Sequence, residues 1–113
     1  MWARIGAFVA LLAVTGCQAS LPDKVALSPE AQNVEMLSDP PNLEVYEPAG
    51  EVSTQVIGRE VGETFRQAFN ALRNQAHAKG ASFVMIEDVA SHAAWDLSGR
   101  TIVSVSGTAF RPK

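Results

Sequence analysis

The sequence predicts an α+β domain: one amphipathic helix packed on a small, mainly antiparallel sheet, in the order β-β-α-β-β. Three observations carry this. Residues 63–80, ETFRQAFNALRNQAHAKG, place apolar side chains at helical spacing. Segments 43–58 and 101–110 contain runs that alternate as strands do. With one helical stripe available, one face of the sheet is covered and the other stays more polar.

The elements follow in chain order. Residues 18–33, QASLPDKVALSPEAQN, mix Ser, Pro, Asp, Lys, Gln and Asn with little periodicity and read as a tether. Fully extended, sixteen residues reach at most about 55 Å. VEML, residues 34–37, is a short strand candidate. SDPPN, residues 38–42, is a loop, because Pro40 and Pro41 exclude regular structure. LEVYEPAGEVSTQVIG, residues 43–58, is interrupted by Pro48 and Gly50, so it is either two strands or one with a bulge.

In the helix, Phe65, Ala68, Phe69, Leu72 and Ala76 fall on one stripe. Thr64 and Gln67 have the spacing of a capping box. Gly80 is placed to end the helix in the left-handed conformation. ASFVMIEDV, residues 81–89, is apolar on both faces in its middle, as in a central strand. ASHAAWDLSG, residues 90–99, reads as a loop ending in a turn at Ser98-Gly99. TIVSVSGTAF, residues 101–110, should pair antiparallel with 81–89, and Gly107 marks a bulge or a close backbone approach.

The first sixteen residues have another logic. MWAR carries one positive charge, IGAFVALLAV carries none, and small residues follow. That is the plan of a secretory signal. The apolar run is too short to span a bilayer, which needs about 20 residues. The run ends in Val14-Thr15-Gly16-Cys17, and Cys17 is the only cysteine. This order resembles the bacterial lipobox. The resemblance implies cleavage before Cys17, diacylglycerol on its sulfur and acylation of the new amine. The domain plan is then a lipoprotein signal peptide over 1–16, a lipidated cysteine and tether over 17–33, and one α+β domain over 34–113. Position 18 is Gln rather than Asp. By the same resemblance, this implies an outer-membrane address, lipid-anchored and facing the periplasm.

After cleavage, eight basic residues stand against twelve acidic ones. That balance argues against nucleic acid, which demands a basic patch. It argues equally against a polybasic grip on anionic lipid. The lone sulfur is consumed by lipid, so the domain has no disulfide and must rely on its core.

ALRNQAHAKGASFVMIEDV (71–89), VIG (56–58) and VSGTAF (105–110) together resemble a family of small bacterial lipoproteins built on a domain of unknown function. A more distant likeness is to the Rcs envelope-stress sensor lipoprotein. The likeness covers roughly residues 30–113 and implies the fold more than the role. The relatives carry cysteines in the second strand and near the C-terminus. Here Thr54 stands at the first position and FRPK ends the chain, so disulfide or redox roles are not implied.

Candidate chemistry is sparse. Ser91, His92 and Asp96 are the residue types of a hydrolase triad, but a triad is a geometry rather than a spacing, and no nucleophile elbow is present. Glu87, Asp88 and His92, with His77 remote, could ligate a metal but match no zinc signature. Arg66, Asn70, Arg73 and His77 share one helix flank. Such a basic stripe could face an acidic partner or an anionic envelope polymer, although a solvated face is the commoner explanation. Trp95 is either an exposed interface anchor or, more commonly, folded over the sheet edge. The expected function is a lipid-anchored envelope protein that binds or senses, with no enzyme activity and no cofactor. Its partners are membrane lipid, through Cys17, and an unidentified envelope protein or polymer. The alternative is an envelope hydrolase or a metal-binding protein.

Overall fold

The computed structural model describes residues 21–113. The expected signal peptide over 1–16, Cys17 and Gln18 lie outside the described residues. One helix packs on a four-stranded mixed sheet, an α+β fold. The strands are β1 (Glu35–Leu37), β2 (Tyr46–Gly58), β3 (Phe83–Ala93) and β4 (Thr101–Pro112), and the helix α1 is Val61–Ala78. A single 3-10 turn, Glu30–Asn33, precedes β1. The sheet order is β1-β3-β4-β2. β4 pairs antiparallel with β2 and β3, whereas β1 pairs parallel with β3.

α1 begins two residues before the span 63–80 read from the sequence. Its N-cap is Glu60, whose carboxylate accepts from the amides of Gly62 and Glu63. The Thr64–Gln67 capping box expected from the sequence does not form. Thr64 is already inside the helix and buried, and its hydroxyl donates to the Glu60 carbonyl at 2.6 Å. Gln67 instead donates to Glu63. The far end matches expectation. Gly80 has φ of 75°, its amide bonds the His77 carbonyl, and the Ala81 amide bonds that of Ala76. This pair of bonds is a Schellman motif, and the buried Ala76 and Ala81 supply its apolar contact.

The stripe Ala68, Leu72 and Ala76 is fully buried, with Phe65 and Phe69 packed beside it. It rests on Val52 and Val56 of β2, Val103, Val105 and Ala109 of β4, and Val84 of β3. The interruption in 46–58 is a bulge between Pro48 and Gly50 in one continuous strand. A second bulge lies in β3 between Ile86 and Asp88, opposite Gly107. A β-carbon at Gly107 would come within 2.0 Å of the Met85 carbonyl oxygen, so the glycine permits the close approach of β4 to β3.

The register assigns the open face. Ser53, Gln55, Ser104, Ser106 and Asp88 lie there in paired positions, and Gln55 donates to Ser104 across the strands. This middle stretch is polar, as expected. The far end is apolar, where Tyr46 and Phe83 meet edge to face at 4.7 Å beside the buried Phe110.

Two segments differ from the sequence reading. β3 continues to Ala93, so residues 90–93 are strand rather than loop. Pairing of Ala90 with Ser104 through Ala93 with Thr101 gives their backbone groups partners that a loop would lack. Residues 21–33 are not a free tether within the described part. Their backbone is hydrogen-bonded along α1. Val25 donates to Gln67, Asn70 donates to the Val25 carbonyl, and Asn74 both donates to Ala26 and accepts from Ser28. Pro22 accepts from the Ile57 amide on the outer edge of β2. Side-chain amides carry both donor and acceptor, so they replace a strand partner for a chain too polar to build one itself.

Candidate functional site

The β3–β4 connection, residues 94–100, forms the tip of a hairpin at the end of the sheet where β2 leads into α1. Trp95 is 87 % exposed and Leu97 is 95 % exposed. Of the two sequence alternatives for Trp95, the exposed one holds. The indole is not folded over the sheet; its nearest aromatic neighbour is the exposed His92 ring at 6.0 Å.

The backbone beneath these two side chains is tied down. The Ser98 amide donates to Asp96, and the Arg100 guanidinium donates to the other Asp96 oxygen at 2.8 Å. The Ser98 hydroxyl accepts from both the Arg100 amide and its Nε. Arg59, from the β2–α1 junction, donates to the Ser98 carbonyl at 2.9 Å. Ala94 closes the base by donating to the Arg100 carbonyl. Leu97 has φ of 59°, a left-handed conformation that costs a residue with a β-carbon free energy and persists only where its surroundings impose it. Hydrogen bonds from Ser98, then from Arg100, lower the Asp96 carboxyl from 3.8 to about 2. Asp96 is therefore ionised through the physiological range, and the network is intact there.

The helix flank fares differently. Asn70 is engaged by Val25, and Arg73 donates to the carbonyls of Val34 at 3.0 Å and Gln32 at 2.7 Å. Arg66 pairs with Glu63, which lowers the Glu63 carboxyl, with Gln67 contributing next. His77 is exposed at the C-terminal end, beside a depression lined by Glu30, Asn33 and Ser82. The expected surface of Arg66, Asn70, Arg73 and His77 is thus not one open basic stripe. Its middle holds the N-terminal segment in place.

Ser91 and His92 are consecutive in β3, pairing with Val103 and Ile102, so their side chains leave on opposite faces. Asp96 is committed to Ser98 and Arg100. The three do not converge. Glu87 sits at the bulge and accepts from Thr108, and among the described residues no group of three or more His, Cys, Asp or Glu side chains is placed to hold a metal ion. No helix among the described residues is long and apolar enough to cross a membrane. No family model and no curated protein matches the chain.

Sequence reasoning missed the support of the tip. The D-x-S-x-R spacing of Asp96, Ser98 and Arg100 was the available signal, since Asp two residues before an amide is the mark of an Asx turn. It also missed Gln67, Asn70 and Asn74 as a stripe of amides, a pattern visible at helical spacing.

Proposed function

We propose that this chain is a lipid-anchored cell-envelope protein, held by acylated Cys17 at the periplasmic face of the outer membrane, that acts by binding or sensing rather than by catalysis. The carrying observation is the hairpin tip. Two large apolar side chains stand almost wholly in solvent on a backbone fixed by Asp96, Ser98, Arg100 and Arg59. Pre-ordering reduces the entropy that binding must overcome, and an exposed Trp is a common anchor of binding surfaces. The V-T-G-C order at the end of the apolar run supports the anchor. We also assign the chain to the small lipoprotein family that its helix-to-strand passage resembles.

The test is crosslinking in intact envelopes followed by purification. Molecules captured by the native chain should be lost with Trp95→Ala and retained with His77→Ala. The same set captured by the native chain and by Trp95→Ala would remove the tip from the account.

A further inference from the structure

We propose that the Trp95–Leu97 tip is a second membrane contact, and that its ligand is the surface of the bilayer that holds Cys17. The proposal rests on the acylation of Cys17 and goes further, assigning the anchored domain an orientation.

The first argument is chain length. A tether running to Asn33 would let the domain stand far from the lipid. The ordered backbone starts earlier: Pro22 is bonded to Ile57, and Val25, Ala26 and Ser28 are bonded to α1. Only four residue steps separate Leu21 from Cys17. Their span is at most about 14 Å. An acylated Cys17 therefore keeps the domain close against the membrane.

The second argument is direction. Ile57 is the next-to-last residue of β2 and pairs with Ile102, the second residue of β4. Thr101 pairs with both Gly58 and Ala93, so the tip projects from this same end of the sheet. Asp23 and Lys24 share one surface depression with Arg59 and Arg100 at the base of the tip. Pro22, Asp23 and Lys24 thus lie at the tip's end of the sheet, and from there the chain passes onto the open face, where Leu21 lines a depression with Gln55 and Ser104, leaving Cys17 within four residue steps of that face.

The third argument is chemistry. An indole with an apolar body and one N–H donor is suited to the boundary between acyl chains and headgroups, and leucine to the apolar side of it. Arg59 is exposed and makes no salt bridge among the described residues; one of its N–H groups holds the Ser98 carbonyl, and the others can donate to headgroup phosphate. A neutral, shallow insertion of this kind needs no polybasic patch, in keeping with the acidic composition.

The experiment uses the lipoprotein purified from membranes, in which cleavage before Cys17 removes Trp2 and leaves Trp95 as the only indole. It is reconstituted into phosphatidylethanolamine–phosphatidylglycerol vesicles whose acyl chains are brominated near the headgroup. Its mass is measured first. An acylated chain whose Trp95 emission shifts to the blue and is quenched by shallow bromines, with quenching reduced by Leu97→Asp, supports the proposal. An acylated chain whose Trp95 emission stays that of a solvated indole overturns it and leaves the anchor intact. Protection of Trp95 in native envelopes but not in pure lipid also overturns it, and gives the tip a protein or polymer partner instead. A chain without lipid mass removes the premise and the proposal together.

Discussion

Gly107 has no room for a side chain, because the Met85 carbonyl occupies the place of its β-carbon. Gly107→Ala should cost about 1–3 kcal/mol through the backbone shift it forces, read as a lower midpoint of urea unfolding. Trp95→Ala should change that midpoint little, since the indole is mostly in solvent. The contrast separates a residue kept for the fold from one free to serve a ligand. Arg73→Ala should be destabilising by about 1–3 kcal/mol, because it leaves the Val34 and Gln32 carbonyls without their charged donor. Asp96 gives a pH signature. Its carboxyl titrates lower in the folded chain than its ordinary 3.8, at about 2. The support it gives the tip is therefore complete above pH 3.8 and fades as the pH falls toward 2. The Ser98 amide resonance should follow that low midpoint, and Asp96→Asn should abolish the titration. A midpoint at the ordinary aspartate value would show that the bonds from Ser98 and Arg100 do not persist in solution.

At the scale of elements, the segment 21–28 is the part whose role changed most. Asn74 holds it through both the oxygen and the nitrogen of its side-chain amide, so Asn74→Ala should cost about 1 kcal/mol and raise hydrogen exchange at Ser28 before the sheet opens. Unchanged exchange at Ser28 would mean that Asn74 does not hold the segment. The helix was legible because Leu72, Ala68 and Ala76 carry a strong period, and its end because Gly80 suits a left-handed cap. The single bulged β2 was legible in part, since Pro48 and Gly50 announce the break but not whether the strand resumes. The extension of β3 was not. Residues 90–93 are exposed on both faces, so no alternation in hydrophobicity records them; pairing with β4 alone makes them strand. The docking of 21–28 was hidden for a similar reason. Its partners are polar side chains forty-odd residues away, and nothing local in QASLPDKVALSP encodes them.

The tip lies between these cases. Trp95 could be singled out from sequence, but its exposure depends on where β3 ends and on a three-residue network that the Ser98-Gly99 turn alone does not specify.

For the whole molecule, the sheet is covered on one face by α1 and has a polar middle on the other, with a shallow depression of about 400 Å³ beside Leu21, Ser53 and Ser104. The two exposed apolar side chains of the tip project at the end of the sheet where Pro22 meets Ile57. Under our reading, this layout is that of a body held on a short leash at a lipid surface. The covalent state of residue 17 decides that reading most directly. Intact mass and N-terminal peptide mass of the chain purified from membranes should show cleavage before Cys17, a diacylglyceryl group on its sulfur and an acyl group on its amine. A free thiol at Cys17, or residues 1–16 still attached, would contradict the account.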